Sequence, residues 1–143
     1  MSEAATAQSD TRTEETRRTS LTHIAALNAH DPDAIAACVT EDFVNEHASS
    51  MGQGAAGRAG YRERLPTFLA DFEDLHYEPE AVIADGEQAA VPYTMTATWH
   101  GDSPKRHLIR LHGVFRFAVR DGLIARRTDY WDSADFLGQT GQR

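Results

Sequence analysis

A single cysteine, Cys38, stands in a chain of 143 residues. That rules out an internal disulfide and any zinc site built from several thiolates. Its neighbours Ile35 and Val39 mark it as a small buried hydrophobe rather than a reactive thiol. No apolar run reaches the roughly 18–20 residues that a membrane-spanning helix needs. Positive charge is also short, with 14 Lys and Arg against 22 Asp and Glu and a formal net charge of −8. Nucleic-acid binding rests on neutralising phosphates with Lys and Arg, so that partner is disfavoured. The first twenty residues lack the apolar core of a signal peptide, and a cytoplasmic, reducing location is the simplest expectation. There is no HExxH pair among the seven histidines. The close pair His107 and His112 has an odd strand spacing that sets the two on opposite faces, so no metal site is expected. A Gly-x-Ser-x-Gly elbow is missing, and the glycines between Gly52 and Gly60 lack the Lys-Ser/Thr ending of a phosphate loop.

What is present suffices for one core. Hydrophobic residues make up 41% of the chain, no internal repeat appears, and a single domain over residues 16–141 is expected after a flexible tail, residues 1–15. Leu21, Ile24, Leu27 and Asn28 recur at helical spacing within residues 16–30. Asp31-Pro32-Asp33 stops that helix and caps a second one, which carries Ile35, Cys38 and Val39 to about Asp42. Residues 43–48 read as a short strand, residues 49–60 as a loop, and a third helix reaches about Leu75 with Pro66 inside it. The period then changes to two. Strands are expected over residues 77–84, 88–100, 106–120 and 123–131, joined by Asp85-Gly86, Gly101-Asp102 and Asp121-Gly122. Helices followed by hairpin-linked strands make an α+β order, in which a curled sheet under packed helices encloses a pocket.

Charge is unevenly placed, with acids crowded between Asp71 and Glu87 and bases between Lys105 and Arg127. The basic block reads either as an anion-binding surface or as strand faces whose charges compensate across the sheet. Its strand-like dispersal favours the second. In the last strand Arg127, Asp129 and Trp131 share a face. A carboxylate in such a place must be paired or accept a raised pKa. Asp129 would then act as general base or acid with Arg127 holding it ionised; the alternative is a purely structural Arg–Asp pair. Asn45 and His47 share a face of the first strand, where His47 would shuttle a proton near neutrality and Asn45 would orient a water or a carbonyl oxygen. Tyr93 and Trp99 would line the same wall. His112 is a secondary candidate, beside a Gly113 that would mark a bulge.

The element order, with Asp121-Gly122-Leu123-Ile124 leading into Asp129-Tyr130-Trp131-Asp132 and Phe136-Leu137-Gly138-Gln139, and with Phe43-Val44-Asn45-Glu46-His47 as first strand, resembles the SnoaL-like members of the nuclear transport factor 2-like superfamily. The resemblance implies a cystatin-like cone: a curved mixed or antiparallel sheet, with three helices closing a pocket, in a homodimer. It implies cofactor-independent acid–base chemistry on a small apolar or carbonyl-containing molecule, as in polyketide cyclases and ketosteroid isomerases. Asp129 and His47 would be catalytic, and Asn45, Tyr93, Trp99, His112, Arg127 and Trp131 would bind substrate. Non-catalytic binding or dimerisation domains also occur in this superfamily, as do limonene epoxide hydrolases. The strand that should hold an epoxide hydrolase's Arg-x-Asp reads Tyr93-Thr94-Met95-Thr96-Ala97-Thr98, which disfavours that activity. No tyrosine of a ketosteroid isomerase's first helix is present between Leu21 and His30.

Overall fold

The computed structural model describes residues 3–47, 55–101 and 104–142. Helices α1 (Glu3–Asn28), α2 (Pro32–Ala37) and α3 (Arg58–Asp71) and a terminal helix α4 (Ser133–Gln139) accompany strands β1 (Val39–His47), β2 (Ala55–Ala56), β3 (Phe72–Pro79), β4 (Ile83–Asp85), β5 (Gln88–Trp99), β6 (His107–Arg120) and β7 (Leu123–Trp131). One seven-stranded sheet runs β2-β1-β7-β6-β5-β3, with β4 also pairing β5. All pairings are antiparallel except β1 with β7, which makes the sheet mixed. The expected α+β class and its hairpin run are therefore present. No described helix is long and apolar enough to cross a membrane.

Local chemistry accounts for most boundaries. The Asp31 side chain accepts from the amides of Asp33 and Ala34, with Pro32 opening α2. Asp121 and Gly122, at φ 53° and 75°, form the two-residue turn of the β6–β7 hairpin, where both central residues must be left-handed. Several boundaries differ from expectation, and the strand expected over residues 77–84 is two elements, β3 ending at Pro79 and β4 starting at Ile83. α1 begins at Glu3, so most of the expected tail is helical. Its residues 12–17 are tied to the β4–β5 turn: Thr13 Oγ1 accepts from Gly86 N at 2.9 Å, and Thr16 Oγ1 donates to Gly86 O at 2.7 Å. α2 ends at Ala37, because Val39 enters the sheet opposite Ile124 of β7. Likewise α3 stops at Asp71, where Phe72 pairs with Trp99. The expected loop 49–60 lies partly outside the described residues; its described end holds β2 and the start of α3, and Asp102 of the third expected turn is also outside.

The inner face of the sheet and one stripe of α1 form the core. Thr16, Ser20, His23, Ile24 and Leu27 recur at helical spacing and are all buried. The side chain of Asn28 locks the end of α1 to β3 by accepting from Tyr77 N at 2.8 Å and donating to Tyr77 O at 3.0 Å. The outer face carries the dispersed charges. Arg126 pairs with Glu46 at 2.9 Å, Arg120 with Asp42 at 2.5 Å, and Arg116 donates to Gln88 at 3.1 Å. Arg120 and Arg126 are thus compensated by acids of β1, as the favoured reading of the basic block expected, whereas Arg127 of the same block points into the core.

Candidate active site

Strand register assembles the site. Alternation points Asn45 and His47 of β1 inward, and Arg127, Asp129 and Trp131 of β7 likewise. The parallel β1–β7 pairing then sets Asn45 beside Arg127 and His47 beside Asp129. These five residues, with Tyr93 of β5, line a cavity of about 550 Å³. Its other walls are largely apolar, including Leu27, Leu65, Phe68, Met95, Leu111 and Phe136. Size and lining suit a small organic molecule.

Asp129 is buried at 6% exposure, the one acid in the buried class among the described residues. Its partner is not the expected Arg127. The Tyr93 hydroxyl donates to Asp129 Oδ1 at 2.6 Å, across the intervening strand β6. Tyr93 lies opposite Gly113, and Gly113 opposite Trp131. A Cβ on Gly113 would meet the Tyr93 hydroxyl oxygen at 2.3 Å and the Tyr130 carbonyl at 2.8 Å. The glycine therefore leaves room for a hydrogen bond rather than marking a bulge, and the β5–β6 register passes it without a shift. Gly113→Ala should displace Tyr93, cost about 1–3 kcal/mol of stability through overpacking, and raise the Asp129 pKa. Thermal melting and a carboxylate NMR titration check both effects.

Electrostatics separate the roles of the titratable groups. Burial pushes Asp129 up to about 6, while the Arg127 charge and the Tyr93 hydrogen bond hold it from rising further. Burial, helped by Arg127, holds His47 down at about 4. Trp131 Nε1–H donates to His47 Nδ1 at 3.2 Å, which puts the imidazole proton on Nε2. Nδ1 thus has no proton to give Asp129 Oδ2, 3.8 Å away, and the two do not form an ion pair at neutral pH. A proton shuttle near neutrality is corrected to a neutral imidazole that offers Nε2–H as a fixed donor.

Arg127, 7% exposed, spans the pocket floor. It donates from Nε to Asn45 Oδ1 at 3.0 Å and from Nη1 to His23 Nε2 at 3.2 Å. The Tyr61 and Phe115 rings lie 5.5 and 5.2 Å from its Cζ. His23 is fully buried, and burial with the Arg127 charge keeps its pKa well below the usual value.

His23, Tyr61 and Tyr77 belong to this site although the sequence offered each only as part of a helix stripe or a strand. The one signal for His23 was a polar residue within the apolar face of α1. Two expected members are elsewhere. Trp99 is not on the cavity wall; it packs edge-on against Phe136 at 5.3 Å and supports that wall residue from behind. His112 is on the outer face, where it meets Thr94 at 3.2 Å and Glu80 at 3.7 Å, because alternation from buried Leu111 turns it outward. Among the described residues no group of three His, Cys, Asp or Glu side chains could hold a metal ion.

These shifts carry a stability signature. His23 and His47, depressed in the fold, take up protons more readily when unfolded, so stability falls as pH drops below about 6.5. Asp129, raised in the fold, works oppositely and gains stability as pH falls through 6 toward 3.8. The melting temperature should therefore be lower at pH 5 than at pH 7. The drop should steepen in Asp129→Asn, which removes the opposing group; calorimetry at both pH values measures it.

The model of the SnoaL-like domain matches residues 21–127, ending two positions before Asp129. A candidate ketosteroid isomerase from Kribbella flavida is 32% identical, covering 83% of this chain and 78% of its own, with a TM-score of 0.65. A candidate polyketide cyclase from Silicibacter sp. shares 25% identity over 88% of this chain and 95% of its own, with a TM-score of 0.76. An LEH-like epoxide hydrolase from M. tuberculosis shares 25% identity over 90% and 92%, with a TM-score of 0.71. No curated protein matches the chain. The chain belongs to the SnoaL-like domain family of the nuclear transport factor 2-like superfamily.

Proposed function

We propose that the pocket performs acid–base chemistry at carbon next to a carbonyl group, isomerising or cyclising a small, mostly apolar molecule. One observation carries this reading: a buried carboxylate, fixed by a 2.6 Å hydrogen bond and raised to about 6, faces an apolar cavity. A base with a pKa just below neutrality is largely ionised at pH 7 yet stronger than an ordinary carboxylate. With Oδ1 held by Tyr93, Oδ2 of Asp129 is the oxygen left to take the proton from the α-carbon. The C–H electron pair moves into an enolate, whose oxygen the neutral His47 Nε2–H would polarise. Returning the proton to a different carbon completes an isomerisation. Attack of the enolate carbon on a second carbonyl forms a ring bond instead, and the new alkoxide takes the proton back from Asp129. Asn45 and Tyr93 hold Arg127 and Asp129 in place, and Trp131 fixes the His47 tautomer.

The test uses a β,γ-unsaturated ketosteroid and a linear poly-β-ketone, following conjugated enone by absorbance and α-proton exchange in D₂O by NMR. Catalysis should rise with pH through about 6, where the base ionises. Rates no higher than buffer on both substrates would remove the acid–base reading and leave a binding domain. The same proposal includes a homodimer formed through the outer sheet face, supported by the exposed Leu108 and Tyr130; light scattering of the pure protein gives the mass directly.

A further inference from the structure

Arg127 is a buried cation whose hydrogen-bond partners are all neutral, the nearest charge being Asp129, which acts on it only through space. Its hydrogen bonds go to an amide oxygen of Asn45 and to an imidazole nitrogen of His23, both uncharged. Its Cζ also lies over the Tyr61 and Phe115 rings, which carry no charge. Among the described residues no carboxylate stands within ion-pair distance of it, and Asp129 spends one oxygen on Tyr93 instead. A buried charge ordinarily has a counter-ion, because desolvation is costly and neutral hydrogen bonds offset only part of it. Yet the guanidinium still lines the cavity. A guanidinium has five N–H donors in a planar fork suited to carboxylate geometry, and Asn45 and His23 use only Nε and Nη1.

We infer that the ligand itself supplies the missing charge: the pocket takes a small acid whose ionised oxygen, a carboxylate or an equally acidic enol or phenol, binds at Arg127. This deepens the acid–base reading by naming the substrate class, and it rests on the same cavity. An anion seated there leaves Asp129 on the neighbouring inward position of β7, two residues along and on the same face. The charged group thus anchors one end of the molecule while Asp129 works on the other. The outer-face arginines offer no rival site of this kind: Arg110, Arg116, Arg120 and Arg126 are exposed to water, and Arg120 and Arg126 are already paired with Asp42 and Glu46.

The experiment compares 1-naphthoate with 1-naphthamide, which have the same shape and differ in charge, by calorimetric titration at pH 7.5. Naphthoate should bind at least about tenfold more tightly, the margin expected when a hydrogen bond to a charged group replaces a neutral one. Arg127→Gln should abolish the preference. Because that variant removes a buried side chain and could fail to fold, Asn45→Asp provides an isosteric test: it supplies the absent counter-ion, so the preference should fall to near unity. Asp129→Asn should keep or widen the preference by removing a nearby negative charge. Equal affinities in the wild type, undetectable naphthoate binding, or an undiminished preference in Asn45→Asp overturns the inference. An intact preference in a protein without isomerase or exchange activity overturns only the acid–base reading.

Discussion

Asp129→Asn should lower turnover by about 10²–10⁴-fold, the usual worth of a positioned general base, without unfolding the protein. Asparagine keeps the shape of the side chain and an oxygen to accept from the Tyr93 hydroxyl, which donates to Asp129 Oδ1 at 2.6 Å. It loses the ability to take a proton. The fold should not suffer, because a buried carboxylate raised to about 6 is a group whose ionisation opposes folding at neutral pH. A melting temperature at or above that of the wild type, together with loss of catalysed proton exchange, separates a chemical role from a structural one. Exchange at the wild-type rate would take Asp129 out of the mechanism.

Phe115→Ala should have the largest effect on stability, about 3–5 kcal/mol, as expected for a fully buried aromatic truncated in a packed core. Phe115 is completely buried at the centre of β6. Its ring lies 4.5 Å from Tyr93, 5.0 Å from Tyr77 and 5.4 Å from Phe117, and the Arg127 Cζ lies over it. The variant therefore opens a cavity under both functional groups at once. Removing the ring frees Tyr93 to leave Asp129 and lets water reach Arg127. Chemical denaturation should show the lost stability with little change in slope. Any remaining activity should have its pH midpoint displaced from about 6. A loss below about 1 kcal/mol would mean that the aromatic cluster is not the keystone of this wall.

The strands were legible because their signals are local. Alternation through Tyr93, Met95 and Ala97 and the Asp-Gly turn at Asp121-Gly122 place β5 to β7, and the same parity puts Arg127, Asp129 and Trp131 on one face. Asn45 and His47 were likewise legible as a same-face pair. What local pattern does not encode is which strands lie side by side. The parallel β1–β7 contact joins residues about eighty positions apart, and it brings those two pairs into one site. It also explains why the second helix stops early: Val39 suits a helix stripe as well as a strand, and pairing with β7 decides it. The partner of Asp129 was misread for a related reason. Arg127 is the obvious neighbour in sequence, but Tyr93 reaches over Gly113, a route visible only once three strands are in register. His47 was assigned an ordinary titration because what lowers it is burial under the folded sheet and the charge of Arg127, 80 positions away. Trp99 has the correct parity for the inner face, yet it lies at the far end of β5, where Phe136 intervenes.

Selective labelling of aspartate side-chain carboxyl carbons, with Asp129 assigned by the Asp129→Asn variant, gives the most direct measurement of the site. An NMR titration of that carbon should show a midpoint near 6, moving upward when Tyr93→Phe removes the hydrogen bond. A midpoint in the ordinary range near 3.9, unchanged in Tyr93→Phe, would contradict the role of Asp129 as a tuned, Tyr93-tethered base.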